Sequence, residues 1–554
     1  MSGTETQAGQ VHRRIWRRPF RAGRGTGLAL ALFWCLFTIV WLGRSFVDGM
    51  SFFTFLDESA QVLGGRSLDA GGVLYHSFID SHGPFIFALA QAYGAVFGWS
   101  IPSGVRGTNI VLTVVAALMV ASSSALAGAR ARLWAVSLFC GLLAVVWLRQ
   151  GFYQFSFYPI SGAIASIALA GSVIPACRAR RAGLVPALVS GLAVICLVAN
   201  AYSFAPSAIL FAVSAMLGPS PAGRRGGLEG FLAGLAMGLT AFCGYMRAYA
   251  DIHGYLAFHF AENQFVYAHY IGASAAQFWR SLLPSLTQSD RVHAIAISAA
   301  AFGAIALLIR SVRSTQGRPR QLLSAGAMLV GLMLLNGRGA TTFQDGTFLY
   351  AAMTVFSISI ADLLAAQSWL PTVPGTVATA MPVGLAMLIA RSALYAPLGT
   401  TGETLARMSP SAIPGESDAP VYRLIRRVAA SNERILVLSY DPEFYQRADR
   451  LPMDGFYAYF KWDADYARAP WFGRPHDLCA ALEAAPPPII KLDEAGTWGY
   501  RPRAYIPCLD TILRTRYVEQ SGIPGWSGHL YVRTDRLKSA VEPTLPSSGR
   551  SAAR

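Results

Sequence analysis

Residues 52–98 read FFTFLDESAQVLGGRSLDAGGVLYHSFIDSHGPFIFALAQAYGAVFG, and whether this stretch crosses a membrane sets the topology of everything after it. It follows the first apolar run directly and carries Asp57 and Glu58 at its head, then Tyr75, His76, Asp80, His82 and Gly83-Pro84. It closes on an apolar run over 84–98 that falls short of the ~20 residues a bilayer core demands. Read as a crossing, that run would put the next arginines, Arg130 and Arg132, outside and invert every later link. Read as an interfacial or re-entrant helix, it keeps the Arg-rich links on one side, as the positive-inside rule requires. The stretch is therefore expected to form an extracytoplasmic loop, 48–104, folded back onto the membrane.

Outward from this loop, the composition supports the same reading. The chain has 554 residues, 53% hydrophobic and 14% charged, with a mean hydropathy of +0.40. These values suit an α-helical polytopic membrane protein. Eleven spans are expected, at about 28–47, 105–127, 133–149, 159–176, 184–200, 203–218, 228–246, 292–310, 321–336, 347–366 and 375–395. Six arginines precede the first span, from Arg13 to Arg24, in an uncleaved cytoplasmic N-terminus, 1–27. Links on the same side carry Arg130 and Arg132, Arg178 to Arg181, Arg224 and Arg225, and Arg310 to Arg320. The net charge of +16 is thus spread over short links rather than one soluble face, which points to membrane orientation and away from nucleic acid.

Beyond 395 the composition turns polar, with Pro486 to Pro488 in a row and strand-like runs at 434–440, 489–492 and 529–535. Residues 396–538 are expected to form a small α/β domain, on the outside by the crossing count, and 539–554 a disordered tail. Five cysteines lie in or beside apolar spans, whereas Cys479 and Cys508 fall in this polar region, where an oxidising compartment would let them pair; two free thiols are the alternative.

Ionisable groups at a membrane edge are costly and are usually kept for proton transfer, ligand binding or a buried pair. Asp57 and Glu58 stand there, with first-turn helix capping as the plain alternative. His76, Asp80 and His82 have the residue types of a divalent-cation site, although scattered His and Asp in a loop are more often simply polar; the expected set includes no metal ligand and no firm cofactor. Arg106 opens the second span and is either an anion-binding cation or a snorkelling anchor. Arg338 sits in NGRGATTFQDG, an outside loop that either offers donors to a phosphate or simply turns. The aromatic loop 247–291 reads as an interfacial belt unless it folds over Asp57.

The order of these features, an Arg-rich start, one span, LDES, LYHSFIDSHGP, a stretch ending in AVFG and Arg106 at the next span, resembles the GT-C class of membrane glycosyltransferases. The likeness is to the aminoarabinose transferase and protein O-mannosyltransferase-like group of bacterial family 39 proteins. It extends more loosely to VLSYDPEFYQRADRLPMDGFYAYF in the C-terminal region. The resemblance implies an enzyme of the bacterial inner membrane that transfers a sugar from a polyprenyl-phosphate carrier to an extracytoplasmic glycan, lipid or protein acceptor. Asp57 would be the catalytic base, Glu58 its neighbour, and Arg106, Arg338 and His82 the phosphate's partners. Tyr75, His76, Asp80, Gln154 and Tyr158 are the candidate substrate contacts. Two positions depart from the group's pattern. The outside loop RQGFYQFSFYP offers Gln150, Gln154 and Tyr158 where relatives often carry a second acid, and His82 stands where they tend to have Lys. A transporter or flippase and a polysaccharide ligase are the competing readings; the absence of a clear inverted repeat and the early position of the acidic pair weigh against them.

Overall fold

The computed structural model describes residues 23–52, 56–99, 102–148, 150–218, 226–270, 303, 305, 318–335, 346–366, 419–493, 499, 501–526 and 528–541. Within them the chain is a helical membrane bundle capped by a small α/β domain. The bundle contains α1 (Gly23–Met50), α2 (Leu56–Asp69), α3 (Pro84–Phe97), α4 (Gly107–Ser122), α5 (Gly128–Val146), α6 (Phe157–Cys177), α7 (Leu184–Asn200), α8 (Ala205–Met216) and α9 (Gly226–Tyr249). A helical stretch over 252–270 follows, then α10 (Arg318–Leu334) and α11 (Gly346–Ala366). Five helices are long and apolar enough to cross a membrane, and five more apolar helices are shorter. Nine of the expected spans coincide with helices; of the span at 292–310 only residues 303 and 305 are described, and that at 375–395 lies outside the described residues.

One boundary differs from the hydropathy reading. The span expected over 105–127 ends at Ser122, and the next helix starts at Gly128, whose φ is +83°. Residues 123–127 are apolar enough to blend into a span, but the extended ψ of 123° at Ser123 turns the chain there. At the centre, α6 is buried along its whole length and packs against α4, α7 and α11. Small residues let it sit there, and its polar neighbours find partners: Asn200 donates to the Phe157 carbonyl at 2.9 Å and to Ser161 Oγ at 2.8 Å.

The first outside segment is built from two short helices and a tight link. The Gly64-Gly65 pair lets α2 press onto α3, because a Cβ at those positions would lie 2.6 Å from the Phe87 ring and 2.7 Å from Ala90. Gly83 rests on the end of α7, where an added Cβ would meet the Ala199 carbonyl oxygen at 2.2 Å and where its N–H donates to the Asn200 carbonyl at 3.1 Å. Pro84 then starts α3 at the position where a missing N–H costs nothing. The Gly-Pro pair therefore docks this loop on the bundle, and α3 ends after 14 residues at Gly98.

The C-terminal domain holds a four-stranded sheet of β1 (Leu436–Leu438), β2 (Ile489–Leu492), β3 (Tyr517–Glu519) and β4 (His529–Arg533), in the order β1-β2-β4-β3. β1 and β2 run parallel, with Leu436 opposite Ile490; β4 is antiparallel to both neighbours, with Lys491 opposite Leu530 and Val518 opposite Val532. Cys479 and Cys508 form a disulfide across its helices. The last helix, Thr534–Val541, runs past Ser539, where the disordered tail was expected to begin. The domain sits on the interhelical loops of the bundle through several polar ties. Arg66 pairs with Asp449 at 2.9 Å, Arg474 with Asp251 at 2.6 Å, Gln446 donates to the Ser59 carbonyl at 3.0 Å, and the Gly455 N–H donates to the Ser77 carbonyl at 2.8 Å.

Candidate active site

Asp57 and Glu58 occupy the first turn of α2, where helix amides favour carboxylates. Adjacent residues on a helix project about 100° apart, and that difference sends the two side chains to different surroundings.

Glu58 points into the bundle and is 2% exposed, as is Arg106 at 1%. Arg106 Nε donates to both Glu58 oxygens, at 2.9 and 3.0 Å, and its Nη1 donates to the carbonyls of Gly49 at 2.7 Å and Phe52 at 2.9 Å. The Phe155 N–H adds a third donor to Glu58 at 3.0 Å, and the guanidinium stacks on the Tyr153 ring at 4.9 Å. Burial pushes the Glu58 carboxyl above the usual range, against the pull of Arg106 and the Phe155 N–H. This pair ties together the end of α1, the start of α2, the entry to α4 and the loop before α6.

Asp57 faces the C-terminal domain and is half-buried. The Tyr440 hydroxyl donates to its Oδ1 at 2.6 Å. Asp80 repeats the arrangement: the Tyr457 hydroxyl donates to its Oδ2 at 2.7 Å, and its Oδ1 takes the His82 N–H at 2.7 Å and lies 2.5 Å from His82 Nδ1. Burial alone would raise the Asp80 carboxyl, but the His82 ring and N–H together with the Tyr457 hydroxyl hold it below the ordinary carboxylate range. Burial, then the charges of both Asp57 and Asp80, push the Tyr440 and Tyr457 hydroxyls well above a free tyrosine, so both remain protonated donors. The two carboxylates thus share one field under a pair of tyrosines.

The aromatic stretch over 252–270 folds onto this loop rather than lying as a belt apart. His259 Nδ1 and Asn263 Nδ2 reach the Ser81 carbonyl at 2.8 and 2.9 Å, and Tyr255 stacks on His259 with ring centroids 4.9 Å apart. Burial pushes His259 down to about 4, which leaves the ring neutral at physiological pH.

The remaining sequence candidates divide. Tyr75 is buried at a φ of +64° and donates to the His82 carbonyl at 2.7 Å, so it shapes the loop from within. His76 is exposed and does not join Asp80 and His82 in a group with metal-ligand spacing. Gln154 and Tyr158 are buried beside the Glu58 pair and α11: the Gln154 carbonyl accepts from Asn109, and the Tyr158 carbonyl accepts from Thr347 at 2.8 Å. Neither Gln150 side-chain polar atom, nor Oε1 of Gln154, has a hydrogen-bond partner among the described residues. Arg338 lies outside the described residues. Sequence reasoning did not single out Tyr440 and Tyr457, although both stand in the tyrosine-rich run it quoted; nor did it foresee that Glu58 takes Arg106.

No protein-family model and no curated protein sequence matches the chain. Solved structures do. ArnT from Cupriavidus metallidurans, bound to undecaprenyl phosphate, aligns over 92% of this chain and 98% of its own at 13% identity and a TM-score of 0.50. The Archaeoglobus fulgidus oligosaccharyltransferase tethered to an acceptor peptide aligns over 90% and 74% at 12% identity and a TM-score of 0.44. The archaeal oligosaccharyltransferase AglB from Archaeoglobus fulgidus, with an inhibitory peptide and a dolichol-phosphate, aligns over the same shares at 11% identity and a TM-score of 0.38. The first likeness shows the fold: this chain shares the architecture of that protein, a helical membrane bundle followed by a C-terminal α/β domain.

Proposed function

We propose that the protein is an inverting glycosyltransferase that moves a sugar from a polyprenyl-phosphate carrier to an extracytoplasmic acceptor, with Asp57 as general base. The bacterial inner membrane is its setting, with the N-terminus in the cytoplasm and the C-terminal domain outside. The observation that carries this reading is Asp57 itself: a carboxylate at the outer end of the first span, half-buried, with one oxygen held by Tyr440 at 2.6 Å.

The chemistry follows from that placement. An acceptor hydroxyl is a weak nucleophile, and a fixed carboxylate within hydrogen-bond reach removes its proton as the bond to the anomeric carbon forms. Tyr440 steadies that carboxylate through Oδ1. The leaving group is a phosphate, which departs without strong acid help but needs positive charge and donors on its oxygens. Arg106 is committed to Glu58 and to backbone carbonyls, so His82 and Arg338 are left as the cations for the phosphate, and Arg106 acts as a positioning residue. One base opposite a departing phosphate implies direct displacement with inversion. The buried Gln150 side chain and Gln154 Oε1, without hydrogen-bond partners among the described residues, support polar substrate contacts near the Glu58 pair, since buried polar atoms left unpaired are costly. A likeness of fold to a protein bound to undecaprenyl phosphate supports the carrier.

The test is transfer of labelled sugar from polyprenyl-phosphate donors in membranes containing the wild type or Asp57→Asn. Transfer by the wild type that collapses in Asp57→Asn supports the reading. Equal transfer by both removes the base, and uptake of substrate without transfer favours a transporter.

A further inference from the structure

Glu262, Asp463 and His476 meet at the junction between the stretch over 252–270 and the C-terminal domain, and the mechanism above uses none of them. They are 6%, 7% and 3% exposed. One ligand atom from each lies within 4.8 Å of the other two, and among the described residues no other group of His, Cys, Asp and Glu does this. Two carboxylates and an imidazole withdrawn from water need compensation. Bonding to the Gly455 carbonyl and the Phe460 N–H supplies part of it. It leaves His476 Nδ1 and Glu262 Oε1 buried with no hydrogen-bond partner among the described residues.

The surroundings of each group match what a bound cation requires. His476 Nε2 lies 3.0 Å from the Gly455 carbonyl, which fixes the proton on Nε2 and leaves the Nδ1 lone pair facing the carboxylates. A metal-bound histidine is commonly held this way, through its second nitrogen on a backbone carbonyl. The Phe456 ring stacks on the imidazole at 4.7 Å and Phe258 meets it edge-on at 5.5 Å, so its plane is fixed before any ligand arrives. Asp463 is oriented in turn by the Phe460 N–H, at 2.5 Å from Oδ2.

We infer that these three residues form a divalent-cation site, suited to Zn²⁺, that pins the outside helical stretch to the C-terminal domain. Two carboxylates and a neutral imidazole cancel the charge of one divalent ion and give it one nitrogen and two oxygen ligands, a set zinc accepts with water as the fourth. Tetrahedral bonds of ~2.1 Å place ligand atoms ~3.5 Å apart, so binding needs the side chains to close from separations that are all within 4.8 Å. The site is separate from Asp57 and carries no step of the proposed transfer.

The experiment uses the full-length protein in detergent, purified on a histidine-free tag, stripped with chelator, exposed to Zn²⁺ alone and passed over chelating resin. Metal content by mass spectrometry and thermal unfolding are read on wild type, Glu262→Gln, His476→Ala and, as a control, Asp57→Asn. About one zinc per chain is expected on wild type and control, with a higher unfolding temperature than the stripped protein. Roughly tenfold weaker retention is expected in both cluster variants. His476→Ala opens space beside Phe456 and can disturb folding, so the near-isosteric Glu262→Gln decides. Retention by Glu262→Gln equal to wild type, or no zinc on wild type and no thermal shift, overturns the site. Neither result bears on the transfer reaction, which is tested at Asp57.

Discussion

Asp57 and Glu58 are neighbours in sequence, identical in charge and in the same helical turn, yet they sit in regions of opposite character. Glu58 is enclosed within the membrane domain, where Arg106 and the Phe155 N–H occupy its oxygens. Asp57 lies at a seam, and its neutral partner comes from a separate domain 383 residues away. A carboxylate saturated by a buried guanidinium is stable and unreactive, because its lone pairs are spent and its charge is cancelled. A carboxylate steadied by a neutral tyrosine keeps its charge, which is what a base needs. The comparison separates a clamp from a proposed base, and each prediction below attacks one side of it.

The largest effect is expected at the reacting carboxylate. Asp57→Asn should lower sugar transfer by roughly 10²–10⁴-fold, the range for loss of a general base, while thermal unfolding stays near that of wild type. A comparable fall in unfolding temperature would make Asp57 structural and erase the contrast with Glu58.

Next comes the clamp. Arg106→Met removes one partner of a buried, hydrogen-bonded pair and leaves Glu58 and the Gly49 and Phe52 carbonyls exposed to the loss. Destabilisation of about 3–5 kcal/mol is expected, read as a drop in unfolding temperature in detergent. Glu58→Gln should be milder, because the amide still accepts from Arg106. An Arg106→Met protein with normal stability but lost donor binding would instead return Arg106 to the phosphate.

The clamp and the seam also differ in how far the sequence discloses them. Apolar length was enough to place nine helices, and the run over 84–98 forms a separate helix of 14 residues. Three of the four strands were readable from their β-branched and aromatic runs. β3 was not, since Tyr517 is buried while Val518 and Glu519 are exposed, which leaves no apolar run to see. Asp57, Glu58, Asp80 and His82 drew attention by being ionisable beside hydrocarbon. Their partners did not, because a tyrosine in a soluble domain carries no mark of the carboxylate it will meet. Tyr440, Tyr457 and the Glu262 cluster exist only once the domain is docked, and docking rests on scattered ties such as Arg474 with Asp251. Arg106 was noticed, but its charge alone could not distinguish a ligand for phosphate from a partner for Glu58.

A smaller effect tests the seam by acid. His259 is held down to about 4 by burial, below the ~6.5 of an unfolded histidine. The unfolded chain therefore binds the extra proton first, so His259 favours the folded state fully above about pH 6.5, and that contribution is lost as pH falls toward about 4. The loss is on the order of 3 kcal/mol. Asp80, whose folded pKa is depressed, adds a second loss at lower pH, below the ~3.9 of an unfolded aspartate. Unfolding temperature against pH should fall in two stages, and His259→Asn should flatten the upper stage alone. A single stage unaffected by that substitution would mean the stretch over 252–270 is not seated on Ser81.

The smallest effect asks whether the domain steadies the base or merely covers it. Tyr440→Phe keeps the ring against Phe460, at 5.6 Å, and deletes only the hydroxyl on Asp57. A hydrogen bond to a charged group contributes about 1.5–3 kcal/mol, so transfer should fall by roughly tenfold or more, mostly in kcat because the hydroxyl touches the base rather than the carrier. Losing a donor to the ionised form raises the carboxylate's pKa, so the acid limb of the pH–rate profile should move to higher pH in Tyr440→Phe. Tyr457→Phe, which relieves Asp80 instead, should leave that limb in place. A profile that does not move, with activity lost through a raised KM, would make Tyr440 part of the substrate's enclosure and leave Asp57 oriented by the membrane domain alone.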